Sequence, residues 1–174
     1  MIALGRWAVV LALLMGGCLV LAGRAWAQDP RAVALELSGG HAAFVDEGAI
    51  HHAVLGGAAR WQLTPRVGIG PELVYMVGPG DDRDLFVTGN VTWDFVTRPR
   101  RSRTVIPYVV AGAGLFRHSD RVGTGTFASS EGAFTAGGGA RVWVTPRVNV
   151  GAEARLGWEL HTRLTGHLGI QLAR

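Results

Sequence analysis

Val148-Asn149-Val150-Gly151-Ala152-Glu153-Ala154-Arg155-Leu156-Gly157 alternates one apolar residue with one polar residue or glycine along its whole length. A repeat of two is the signature of a β-strand, whose successive side chains point to opposite faces. Val148, Val150, Ala152, Ala154, Leu156 and, one step on, Trp158 share one face; Asn149, Gly151, Glu153, Arg155, Gly157 and Glu159 share the other. The split recurs elsewhere. Leu164, Leu168, Ile170 and Leu172 stand against Arg163, Thr165, His167 and Gln171, and Leu85, Val87, Val91, Trp93 and Phe95 stand against Thr88, Asn90, Thr92 and Asp94.

Followed outward, the alternation predicts eight strands, over residues 31–44, 49–63, 66–77, 84–97, 104–117, 130–144, 147–158 and 162–173. Each reaches the ~9–11 residues that a tilted membrane-crossing strand needs, whereas strands of globular proteins average nearer five or six. The connections alternate in kind. Thr64-Pro65-Arg66 and Thr145-Pro146-Arg147 read as tight turns, with proline where no ladder N–H is required. Residues 45–48, 78–84 and 118–129 read as longer loops at the opposite end, and residues 159–162 as a very short one. Ala59-Arg60-Trp61-Gln62-Leu63-Thr64-Pro65-Arg66-Val67 is echoed by Ala140-Arg141-Val142-Trp143-Val144-Thr145-Pro146-Arg147-Val148, as expected of hairpins recurring in an up-and-down meander.

Composition agrees. In 174 residues there are 26 glycines, 48% hydrophobic residues and only 17% charged ones, which excludes a disordered chain and a helical bundle. One cysteine excludes a disulfide framework. All 17 basic residues are arginine, against 13 acids, and with no basic stripe the formal charge of +4 does not point to nucleic acid. At the start, Arg6, the uncharged run 7–23 and Ala25-Trp26-Ala27 form the pattern of a cleavable signal peptide. Cleavage after Ala27 is expected, leaving one domain over 28–174. A lipoprotein signal ending at Cys18 and a membrane anchor are the rival readings.

Alternation alone does not say which face is inside. Three features place the polar face inward. It carries glycines beside long side chains, at Gly56, Gly68, Gly70, Gly137, Gly139, Gly151 and Gly157, which suits a crowded interior and would only weaken a solvated face. Its charges are nearly balanced, Glu36, Glu72, Asp94, Glu153 and Glu159 against Arg60, Arg141, Arg155 and Arg163, so an interior polar network is able to pair them. Trp61, Tyr75, Trp93, Phe95 and Trp158 lie on the apolar face near strand ends, where an aromatic girdle belongs.

The expected fold is therefore an all-β, eight-stranded antiparallel up-and-down transmembrane β-barrel. The whole of roughly residues 30–174 resembles the small outer-membrane β-barrel proteins of the OmpA/OmpX type, often termed porin-like, through this pattern and through Thr64-Pro65-Arg66-Val67-Gly68-Ile69-Gly70 and its echo. The resemblance implies an outer-membrane seat in a Gram-negative cell envelope and delivery by the barrel insertion machinery. It also implies periplasmic termini and Thr-Pro-Arg turns, with the longer loops outside. A departure is the C-terminus, Gln171-Leu172-Ala173-Arg174, where the family commonly ends in an aromatic residue. Arg98, Arg100, Arg101 and Arg103 would then form a periplasmic basic patch.

No catalytic, cofactor or metal site is expected. His51 and His52 point to opposite faces, while His161 and His167 share one but stand about 20 Å apart at ~3.4 Å per residue. A lipid A deacylase barrel would need a His-x-Ser pair, which neither His118-Ser119 nor His161-Thr162-Arg163 supplies. The expected role is structural or surface interaction by a monomer, with 118–129 meeting any surface partner and an interior too full for a wide pore. The rival class is a soluble periplasmic barrel that turns Leu156, Trp158, Leu168 and Ile170 inward around a small apolar ligand.

Overall fold

The computed structural model describes residues 33–46, 48–97, 104–122 and 125–172. The expected leader over 1–27, Cys18, and the arginines between 98 and 103 lie outside the described residues. Eight strands follow in chain order: β1 (Val33–Asp46), β2 (Gly48–Gln62), β3 (Val67–Val77), β4 (Arg83–Asp94), β5 (Val105–Val122), β6 (Gly125–Trp143), β7 (Val148–Gly157) and β8 (His161–Gln171). Each pairs antiparallel with its chain neighbour, and β8 closes on β1, giving a closed up-and-down barrel. Closure removes the free edges that an open sheet of such apolar strands would expose to aggregation.

Two of the connections confirm the echo in atomic detail. Thr64 Oγ1 accepts hydrogen bonds from the N–H groups of Arg66 and Val67 at 3.2 and 2.9 Å, and Thr145 Oγ1 accepts from Arg147 and Val148 at 3.2 and 3.0 Å. The threonine hydroxyl thus turns the chain, and proline, which has no N–H to satisfy, follows it. Both turns sit at the end of the barrel where β1 begins and β8 finishes, called here the turn end.

At the other, hairpin end the structure departs from the sequence reading. Residues 118–122 and 125–129, expected as loop, are strand: β5 and β6 remain paired in register out to Val122↔Gly125, the longest hairpin of the barrel. β4 stops pairing at Ser119 and β7 at Thr135, so this ribbon runs on past its neighbours. Within the expected loop 45–48, Val45, Asp46 and Gly48 are likewise strand, paired as Val45↔Ala49 and Asp46↔Gly48. Between β7 and β8 a short 3-10 turn, Trp158–Leu160, holds Glu159 and Leu160 at φ 57° and 48°.

The faces are inside out relative to a water-soluble protein. Leu156 is 66% exposed on the outer wall while the adjacent Arg155 is 5% exposed within, and Leu164 at 63% stands beside Arg163 at 3%. Leu168 and Ile170 also point outward, against the soluble-barrel alternative. A wall of exposed Leu, Val and Ile enclosing ion pairs is stable in hydrocarbon, where burying the charges outside would cost several kcal/mol each. β3, β7 and β8 have 11, 10 and 11 residues, the length a tilted strand needs to span it. No helix among the described residues is long and apolar enough to cross a membrane.

Leu73, outward at the middle of β3 beside inward Glu72, tests this assignment. Leu73→Arg should lower stability by roughly 2–4 kcal/mol in urea unfolding from lipid vesicles. A near-neutral effect would mean that this face meets water.

Candidate functional site

The interior is layered along the barrel axis. Nearest the turn end, Arg60 Nη2 donates to Glu36 Oε2 at 2.8 Å, and Arg141 pairs with Asp94 and approaches Glu36 at 3.9 Å. Tyr108 forms the next level: the Arg141 and Arg60 guanidinium carbons lie 4.7 and 5.5 Å from its ring centre, and its hydroxyl donates to Glu153 Oε2 at 3.0 Å. Its ring therefore joins the lower quartet of charges to the upper one.

In that upper quartet Arg155 lies between two carboxylates, 2.9 Å from Glu72 Oε2 and 2.5 Å from Glu153 Oε1. Arg163 Nη2 spans the same pair at 3.0 and 3.8 Å. Asn90 ties the group to β4: its amide donates to Glu72 Oε2 at 3.1 Å and its carbonyl accepts from Arg155 Nη1 at 2.9 Å. A cavity lined by Glu36, Arg60, Glu72, Asn90, Glu153 and Arg155 has a volume of about 30 Å³, on the scale of a water molecule.

Glycine makes the crowding feasible. A Cβ on Gly68 would come within 3.1 Å of Arg60 Cγ and Cδ, and one on Gly137 within 2.7 and 2.9 Å of Arg155 Cα and Cγ. The Gly68 neighbours are flexible and the Gly137 neighbours include backbone, because that Cβ would also collide with the Ala154 carbonyl.

Two site expectations are corrected. Glu159 is not in the interior network; the 3-10 turn breaks the alternation and leaves it exposed at the rim, so the four interior arginines face four acids, Glu36, Glu72, Asp94 and Glu153. Burial and the neighbouring Glu131 and Asp84 carboxylates hold the Glu159 carboxyl above its ordinary range. Trp158 leaves the girdle for the same reason: half-buried, it packs edge-on to Phe134 at 5.8 Å and against the interior apolar cluster. Trp61, Trp93 and Phe95 stand outward near the turn end, and Tyr75 outward nearer the hairpin end.

The sequence reading missed two interior features at the hairpin end. One is an apolar layer of Ala42, Phe44, Val54, Val74, Met76, Phe86, Phe116 and Ala133, with the buried His161 ring 5.0 Å from that of Phe44 and 4.9 Å from that of Phe86. The run Leu73-Val74-Tyr75-Met76-Val77 is apolar on both faces, so alternation could not mark it. The other lies toward the rim: His52 and His118 approach Asp82 and Asp84, from strands and a turn that are 30 and 34 residues apart in sequence.

No protein-family model matches the chain, and no curated protein sequence does. Solved structures do. Neisserial surface protein A is similar over 82% of this chain and 97% of its own, at 16% identity and a TM-score of 0.66. The N-terminal β-barrel domain of Pseudomonas aeruginosa OprF is similar over 83% and 100%, at 17% identity and a TM-score of 0.63. The attachment invasion locus protein of Yersinia pestis, Ail, is similar over 81% and 95%, at 12% identity and a TM-score of 0.51. The fold is thus that of the small eight-stranded outer-membrane barrels.

The two glycine environments generate a paired prediction. Gly137→Ala should destabilise by about 1–3 kcal/mol, the usual cost of overpacking. Gly68→Ala should stay within about 1 kcal/mol of the parent, because arginine methylenes can yield and the unfolded chain loses entropy. Urea titration of both variants in lipid vesicles checks the order.

Proposed function

We propose that this chain is an outer-membrane barrel that conducts little and serves a structural and surface-interaction role, with the β5–β6 ribbon as its contact element. The observation that carries the reading is the neutralised interior, four arginines each held to a carboxylate around a cavity of about 30 Å³. A lumen filled in this way obstructs diffusion, and an eight-stranded wall is only wide enough for its own side chains or one small ligand. In the orientation expected of this fold, both termini and the Thr-Pro-Arg turns face the periplasm. The ribbon then rises on the cell surface, with Phe127 exposed on it. Paired strands that outrun the wall present backbone N–H and C=O groups in extended form, which suits recognition by strand addition.

The refolded protein should give only small, irregular current steps in planar bilayers. Large, stable, nanosiemens-scale openings would refute the closed lumen. In intact cells, a cysteine introduced at the exposed Phe127 of the ribbon should react with a membrane-impermeant maleimide; protection of that site while other surface positions react would contradict the orientation.

A further inference from the structure

Near the hairpin end, two carboxylates lie between the same two imidazoles. His52 Nε2 is 2.9 Å from Asp82 Oδ2 and 3.3 Å from Asp84 Oδ2; His118 Nδ1 is 2.8 Å from Asp84 Oδ1 and 3.5 Å from Asp82 Oδ1. One donor atom each of His52, Asp82 and Asp84 fall within 4.8 Å of one another. We propose that His52, Asp82, Asp84 and His118 form a binding site for a first-row divalent cation of the zinc type at the outer rim of the barrel.

Geometry is the first support. Tetrahedral zinc binds imidazole nitrogen and carboxylate oxygen at roughly 2.0–2.2 Å, which sets neighbouring donors roughly 3.3–3.5 Å apart. His52, Asp82 and Asp84 already supply three donors within 4.8 Å of one another, while His118 reaches the other oxygen of each carboxylate and joins the set by a side-chain rotation. The donor set is the second. Two imidazoles with two carboxylates suit zinc and its neighbours, whereas calcium and magnesium take oxygen ligands almost alone.

Charge is the third. The adjacent Arg83 guanidinium does not answer these acids: it donates to the Gly80 and Asp82 carbonyl oxygens at 3.1 and 2.6 Å. Asp82 Oδ1 is buried without a hydrogen bond, and His52, 2% exposed, is held edge-on to Phe44 at 4.9 Å with its Nε2 toward the carboxylates. Two imidazoles offer the four carboxylate oxygens few N–H groups, and a divalent cation would neutralise both acids at once. Glu131 and Glu159 at the same rim add to the negative field.

Space is the fourth. A Cβ at Gly78 would collide with His52 Nε2 and lie 2.5 Å from Asp82 Oδ2. Glycine there lets His52 and Asp82 close against the backbone and against each other, and a side chain at 78 would push two of the donors apart. Such an ion would staple β2, the β3–β4 turn, β4 and β5 together where the wall emerges from lipid.

The test uses untagged protein refolded in detergent micelles, titrated with cobalt(II) and zinc(II). Wild type should bind one equivalent, develop the intense visible bands of tetrahedral cobalt, lose them to zinc, and unfold at higher temperature with zinc present. His52→Ala, Asp84→Asn and His118→Gln should each weaken zinc binding tenfold or more, and Gly78→Ala should weaken it with all four donors intact. The exposed outer-wall pair His41 and His51, whose rings lie 5.0 Å apart, is the control. Loss of binding in a His41→Ala, His51→Ala double variant, with binding intact in His52→Ala, would overturn the proposal. So would the absence of tetrahedral cobalt bands in wild type, a result that needs no variant to fold.

Discussion

Arg155 is held between Glu72 and Glu153 inside a wall whose outer face is leucine, valine and isoleucine. The rest of the structure depends on that neutralisation. A lone buried guanidinium or carboxylate costs several kcal/mol, so a lumen this narrow admits charge only if every charge meets its opposite. Four arginines and four acids satisfy the condition in two quartets, with Tyr108 between them through its ring on one side and its hydroxyl on the other. The same pairing that makes the interior tolerable also occupies it, and the proposed closure to solutes rests on that occupancy.

Small residues are the counterpart of that filling. Gly68 and Gly137 lie where arginine stems cross the lumen, and a side chain at either would contest the same volume. A soluble strand carrying so many glycines would be weak, but here each strand is hydrogen-bonded on both edges by the closed barrel. Toward the hairpin end charge gives way to an apolar layer, and above it lies the His52, Asp82, Asp84 and His118 group. The interior is therefore built of chemically distinct strata.

The strand count, antiparallel order, inward face and the Thr-Pro-Arg turns were legible because each rests on local information: a repeat of two, or a threonine hydroxyl two and three residues from the N–H groups it accepts from. The β5–β6 ribbon was not, because Gly125-Thr126-Phe127-Ala128-Ser129-Ser130 has too little contrast between its faces to look like a strand. Glu159 and Trp158 were misplaced because positive φ angles at Glu159 and Leu160 break the alternation that had been extrapolated through them. The His52 and Asp82 contact was invisible for a different reason. It depends on register across three strands, and no local spacing encodes register between distant segments.

The central claim is that the polar face is a paired, buried interior, and a double-mutant cycle on Arg155 and Glu153 measures it directly. Urea unfolding from lipid vesicles is to be compared for wild type, Arg155→Leu, Glu153→Gln and the double variant. Arg155→Leu should be strongly destabilising, because Glu72 and Glu153 lose a shared partner, and adding Glu153→Gln should recover part of the loss, with a coupling of about 0.5–3 kcal/mol. An Arg155→Leu effect within about ±0.5 kcal/mol, with no coupling to Glu153, would be the behaviour of an exposed surface position and would contradict the account.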